Sequence, residues 1–170
     1  MRPVVGAWPE VGAWPEVAGL TGPADVVTCH HALYNVGDVR PFLTALTESA
    51  RRTVVAEVTA RHPLVALNAL WLRFHGLQRP LIPTAVGLID ILTAMGLRRG
   101  HESWQRPGGR DYASLDELAD VTRRRLCLPP ERAAEVGDAL VEAGVGPQSP
   151  AEVASTDREV VTIWWDGTAA

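Results

Sequence analysis

Residues 24–36, ADVVTCHHALYNV, constrain this chain more than any other stretch. A short apolar run rich in β-branched residues, Val26-Val27-Thr28-Cys29, follows Asp25 and breaks at once into His30, His31, Tyr34 and Asn35. Such a run reads as a buried parallel strand that ends at the mouth of a site. In open α/β sheets, ligands bind just outside the carboxyl ends of the strands. The strand therefore supplies fold, and the residues after it supply chemistry.

The remaining pattern alternates strands and helices. Gly37 and Asp38 open a helix through about residue 50, with Phe42, Leu43 and Leu46 as its apolar stripe. Residues 52–59, RTVVAEVT, read as a second strand, and residues 62–77 carry Leu64, Leu67, Trp71 and Phe74 at helical spacing. Thr84 caps a further helix whose Val86, Ile89, Leu92 and Met95 face one way, and Gly96 ends it. Residues 97–105 form a third strand, closed by Pro107-Gly108-Gly109. Ser114 and Glu117 have capping-box spacing, Pro129-Pro130 starts another helix that ends near Gly144, and residues 159–165, EVVTIWW, close the chain as a strand. This order predicts an α/β sheet with helices on its faces.

At 170 residues the chain is long enough for one domain that buries about 70% of its unfolded surface. A net charge of −4 gives no global reason to bind nucleic acid. All sixteen basic residues are Arg, the codon bias of a high-GC bacterial genome, so Arg123-Arg124-Arg125 is expected to be a solvated helix face. The two cysteines, Cys29 and Cys127, fit a reducing cytosol. No apolar run approaches the roughly 20 residues needed to cross a bilayer, and no signal segment is evident. A cytoplasmic protein without membrane contact is expected. GAWPEV occurs twice in tandem, at residues 6–11 and 12–17, a repeat too short for a solenoid that reads as a duplicated loop. Residues 1–24 are thus expected to be a loop segment and residues 25–170 the domain.

These segments together resemble the C-terminal part of a class I S-adenosylmethionine-dependent methyltransferase. The resemblance rests on GAWPEV, ADVVTCHHALYNV, RTVVAEVTARHP, LNALWLRFHGLQRP with PTAVGLIDILTAMG, and EVVTIWW. It implies a partial Rossmann-like sheet in which the four strands stand for the family's fourth, fifth, sixth and seventh. Their order in the sheet is then four, five, seven, six, with the final strand antiparallel. The family's glycine-rich cofactor loop and its ribose-binding acidic residue are absent from the sequence. The resemblance thus suggests an N-terminally truncated methyltransferase-family protein that acts, when complete, on a small-molecule acceptor or, as the alternative, a non-catalytic interaction module that pairs through its exposed sheet edge. In the family the first strand neighbours the fourth, so its absence leaves residues 26–29 as an exposed edge through which a second copy can pair.

The resemblance also assigns site residues. His30 and His31 fall where the fourth strand meets the cofactor's methionine end, with His31 the candidate general base. Ala13 and Trp14, or their duplicates Ala7 and Trp8, fall in the loop that flanks the adenine. Tyr34 joins His31 as a catalytic candidate, and Asn35 lines the acceptor pocket or caps the following turn. Trp71 and His75 lie on a helix over the acceptor, where core packing is the competing explanation. The implied cofactor is S-adenosylmethionine and the implied acceptor a small molecule. Because successive strand residues point to opposite faces, Cys29, His30 and His31 cannot converge on a metal unless the chain has already turned.

Overall fold

Short β-branched runs separated by capped amphipathic helices produce an α/β fold, a four-stranded mixed sheet flanked by helices. The computed structural model describes residues 22–107, 112–146 and 158–168. Strand β1 (Ala24–His30) pairs in parallel with β2 (Ala50–Thr59), and β2 pairs antiparallel with β4 (Arg158–Asp166). Strand β3 (Arg99–Arg106) completes the order β1-β2-β4-β3. First, second, last and third strands thus lie side by side, in the expected sequence with an antiparallel last strand. β1 is an edge strand among the described residues, as the resemblance implied, and this corrects the reading of its apolar run as buried. Val26 is 52% exposed, and Cys29 alone of its residues is buried.

Two compact units can be distinguished, one drawn from Met1–Ala60, Pro83–Trp104 and Val160–Ala170, the other from Arg61–Ile82 and Gln105–Glu159. In the first, α1 (Val39–Ser49) starts where the Asp38 carboxylate accepts the Arg40 N–H at 3.1 Å. Its Phe42, Leu43 and Leu46 pack with Val54, Ala56 and Val58 of β2 and with Val161, Ile163 and Trp165 of β4. Each buried Val, Leu, Ile or Phe side chain among these stabilises the fold by about 1.5–3 kcal/mol. The Trp165 indole N–H donates to Thr47 Oγ1 at 2.9 Å, and the Thr47 hydroxyl donates to the Leu43 carbonyl, so the polar tip of this ring is satisfied in the core.

Helix α3 (Ala85–Ala94) begins as expected, with Thr84 Oγ1 accepting the Gly87 N–H. Of the expected stripe, Leu92 is fully buried and Ile89 and Met95 are partly buried against the same core; Ala85 and Leu88 join this face, and Val86 is exposed. The Ala85 N–H donates to the Ala60 carbonyl at 3.1 Å, and this tie sets the rotation of the first turn.

In the second unit the single helix expected over residues 62–77 is replaced by two pieces. Pro63 enters a 3-10 turn (Pro63–Leu67), after which α2 (Asn68–His75) runs to Gly76 at φ 65. The His62 ring holds this entry through Nδ1, which accepts the Leu64 N–H. Helix α4 (Leu115–Arg125) is capped by Ser114, whose hydroxyl accepts the Glu117 N–H; the Glu117 carboxylate reaches back one residue further than in a standard box, to the Ala113 N–H. Helix α5 (Ala133–Glu142) follows a 3-10 turn at Pro130–Arg132, and Leu118, Leu126, Val136 and Leu140 share a core with Leu67 and Leu70.

The arginine run is not a uniformly solvated face. Arg123 is buried, donating to the Leu128 carbonyl at 2.8 Å and to Asp120 Oδ1. The helix ends at Leu126, and Arg123 turns back to satisfy a carbonyl of the chain that leaves it. Arg124 and Arg125 are exposed, as expected.

Candidate functional site

Parallel pairing brings the carboxyl ends of β1 and β2 to the same end of the sheet. His30 sits in register with Glu57, and the ladder is continued by the His31 N–H, which donates to the Glu57 carbonyl at 2.9 Å. His31 then leaves the strand with φ 53, a left-handed conformation uncommon for a residue with a side chain. This turn is the exception the alternation argument allows. With the chain already turned at its second member, both imidazoles of the pair converge on one carboxylate. His31 Nε2 lies 3.1 Å from Glu57 Oε1 and His30 Nδ1 lies 3.7 Å from the same atom. Glu57 is the most shielded of the three side chains and His30, at 54% exposure, the most open. The Nδ1 atom of His31 is buried.

The 3-10 turn at Leu33–Asn35 completes this end of the sheet. Leu33 is buried and anchors the turn, which lays the Tyr34 ring nearly parallel to that of His31, with centroids 6.4 Å apart and an angle of 14°. The Tyr34 hydroxyl accepts the Thr59 N–H and lies 2.6 Å from Thr59 Oγ1. The loop after β1 is thus tied to the last residue of β2. Cys29 takes no part in the cluster. It faces the core, and burial pushes its thiol above the ordinary range, which keeps it protonated and inert. Among the described residues, no group of three or more His, Cys, Asp or Glu side chains is placed to hold a metal ion.

On the same face of the sheet, Glu57 is in register with Thr162 of β4, and Thr162 Oγ1 accepts the Trp104 indole N–H at 3.2 Å. A row of His30, Glu57, Thr162 and Trp104 therefore crosses all four strands. Glu57 and Thr59 did not figure among the residues expected from sequence. The one available signal was an acid inside the otherwise apolar RTVVAEVT. Its significance depends on strand register, which joins residues 27 positions apart.

Trp71 and His75 belong to the second unit. Their rings lie 4.6 Å apart, His75 Nε2 is 2.7 Å from the Leu126 carbonyl, and the Arg79 guanidinium sits 5.0 Å over the Trp71 ring. Trp71 packs against the Leu67–Leu140 core. Asn35 lies in the 3-10 turn after β1. Ala13 and Trp14, with their duplicates Ala7 and Trp8 and the whole GAWPEV repeat, lie outside the described residues. No helix among the described residues is long and apolar enough to cross a membrane.

No protein-family model matches the chain, and comparison with curated proteins finds no match. Among solved structures it is similar to YcgJ from Bacillus subtilis, with a TM-score of 0.49 and 13% identity over 87% of this chain and 65% of that one. It is also similar to BH2331 from Bacillus halodurans C-125, described as a candidate methyltransferase, with a TM-score of 0.48 and 10% identity over 86% of this chain and 65% of that one. The chain spans about 65% of the length of each.

Proposed function

We propose that the carboxyl ends of β1 and β2 form the acceptor side of a methyltransferase-type site, in which His30 and Glu57 take a proton from a small-molecule acceptor. The observation that carries this reading is the convergence of two imidazoles on Glu57 Oε1 at the strand ends. The sheet order β1-β2-β4-β3 and the antiparallel last strand support the methyltransferase type, as the sequence resemblance requires.

The roles follow from exposure. His31, with Nε2 on the carboxylate and Nδ1 buried, is a positioning residue that fixes Glu57. Tyr34 positions the loop through Thr59. His30 has the open ring. A proton leaving an acceptor N–H or O–H passes to its imidazole, and the Glu57 charge beside it stabilises the imidazolium that forms.

S-adenosylmethionine, when bound, supplies a methyl group activated by a sulfonium. The described residues do not by themselves fit that cofactor. Glu57 is engaged by two imidazoles, and β1 runs into His31-Ala32-Leu33 with no glycine turn for a close backbone approach. Contacts to the adenine are assigned only to Ala13 and Trp14, by resemblance.

Calorimetric titration of the full chain with S-adenosylmethionine tests the reading, together with radiolabelled methyl transfer to a panel of small amines and phenols. Micromolar binding with transfer is the result the reading requires. Neither binding nor transfer would overturn it and leave the second reading, an interaction module that pairs through the β1 edge. The half-exposed Val26 on that edge favours this alternative.

A further inference from the structure

We propose that β3 is the docking edge for a second copy of this chain, paired antiparallel about a two-fold axis at Trp104. β3 stands last in the sheet order among the described residues, and all its residues from His101 to Arg106 are exposed. Such an edge presents unpaired backbone groups and is a template for another strand. What this edge will accept is written in its side chains.

Alternation places Glu102, Trp104 and Arg106 on one face. That face is the one on which the Trp104 indole reaches Thr162 and Trp164 lies over Gly100. Residues four apart in a strand are separated by about 13 Å, so Glu102 and Arg106 cannot pair within one β3. A second β3 brought alongside about Trp104 puts each Glu102 opposite the other copy's Arg106, Trp104 opposite Trp104 and Ser103 opposite Gln105. Directly opposed residues share a face and interact, and opposite charges there are favourable. Sliding the register to a centre at Glu102 sets the two carboxylates against each other. A centre at Ser103 sets Glu102 against Trp104. Of these three registers, only the one centred at Trp104 opposes unlike charges.

The edge at β1, where the sequence led us to expect self-association, lacks this complementarity. Within Ala24–His30 the single acid, Asp25, meets Val27, Cys29 or its own copy in face-matched antiparallel registers. The chemistry thus favours β3 for a second copy, and this inference is independent of the strand-end site.

Sedimentation equilibrium of the full chain over a wide loading range tests it. The wild type is expected to reach twice its 18.4 kDa. Glu102→Arg should weaken the dimer at least tenfold by opposing like charges, and adding Arg106→Glu should restore it. Val26→Lys on the β1 edge should leave it unchanged. Circular dichroism confirms that each variant is folded; should Glu102→Arg fail to fold, Arg106→Glu alone makes the same break. A wild type that stays monomeric, a dimer indifferent to Glu102→Arg, a double variant that stays monomeric, or loss of the dimer in Val26→Lys would each overturn the proposal.

Discussion

Replacing Tyr34 with phenylalanine deletes one oxygen and with it the tie between the loop after β1 and the end of β2. The Tyr34 hydroxyl accepts the N–H of Thr59, a buried residue, and lies 2.6 Å from its hydroxyl. The ring itself packs on the first unit's core, so the phenylalanine ring has the same seat. The loss is then purely polar. Removing the acceptor of a buried backbone donor costs about 1–3 kcal/mol, and we take about 2 kcal/mol as the expected destabilisation. With a urea slope of about 2 kcal/mol/M, the unfolding midpoint should fall by about 1 M. A double-mutant cycle isolates the hydroxyl–hydroxyl part. In a Thr59→Val background the same change should cost about 1 kcal/mol less, because only the backbone bond remains to be lost. An unchanged midpoint in Tyr34→Phe, or strict additivity with Thr59→Val, would refute this account of the loop.

Further outcomes follow from other contacts. Arg123→Met removes the donor to the Leu128 carbonyl from a buried position and should destabilise the protein by about 2 kcal/mol in urea titrations, whereas Arg125→Met should be neutral. Gly167→Ala places a methyl group on the Ala50 carbonyl, a backbone neighbour that cannot step aside, and should cost about 3 kcal/mol. Gly100→Ala meets only the half-exposed Trp164 ring, so it should shift indole fluorescence with little change in melting. Hydrogen bonds from Arg123, Arg132 and Arg73 hold Asp120, Glu135 and Glu142 below the ordinary carboxylate range. Their folded pKa values are depressed, so the stability they contribute is present above the ordinary carboxylate range and is lost as pH falls from that range through their lower folded values. Burial and the charge of Arg79 likewise push His62 below its ordinary 6.5, so folding favours its neutral ring and stability begins to fall once the pH drops under that value. A urea midpoint that does not fall between neutral pH and about pH 3 would contradict both signs.

Local chemistry made much of the fold legible. Asp38, Thr84 and Ser114 announce helix starts because a side-chain oxygen one turn ahead of an apolar stripe satisfies a free N–H wherever the helix later packs. Gly96 and Gly144 mark helix ends at positive φ for an equally local reason. The errors arose where distant parts decide. On α3 only Val86 was misplaced: Ala85 takes the core position of the first turn, where its N–H donates to the Ala60 carbonyl. Arg123 was misread because its partner is the carbonyl of Leu128, beyond the helix end. In the candidate site, His30, His31 and Tyr34 were visible as polar residues at a strand end. Glu57, which joins the two histidines, was hidden in β2 and emerges only through parallel register.

The central claim is that His30 and Glu57 handle a proton at the strand ends, and the most direct test is methyl transfer from S-adenosylmethionine by wild type and Glu57→Gln. Glutamine keeps the shape of the side chain and removes the charge that would stabilise a protonated His30. Folding is expected to survive, and the transfer rate to fall about a hundredfold or more, the scale of general acid–base catalysis. Equal rates in the two proteins, or no transfer by the wild type to any acceptor in the panel, would contradict the claim.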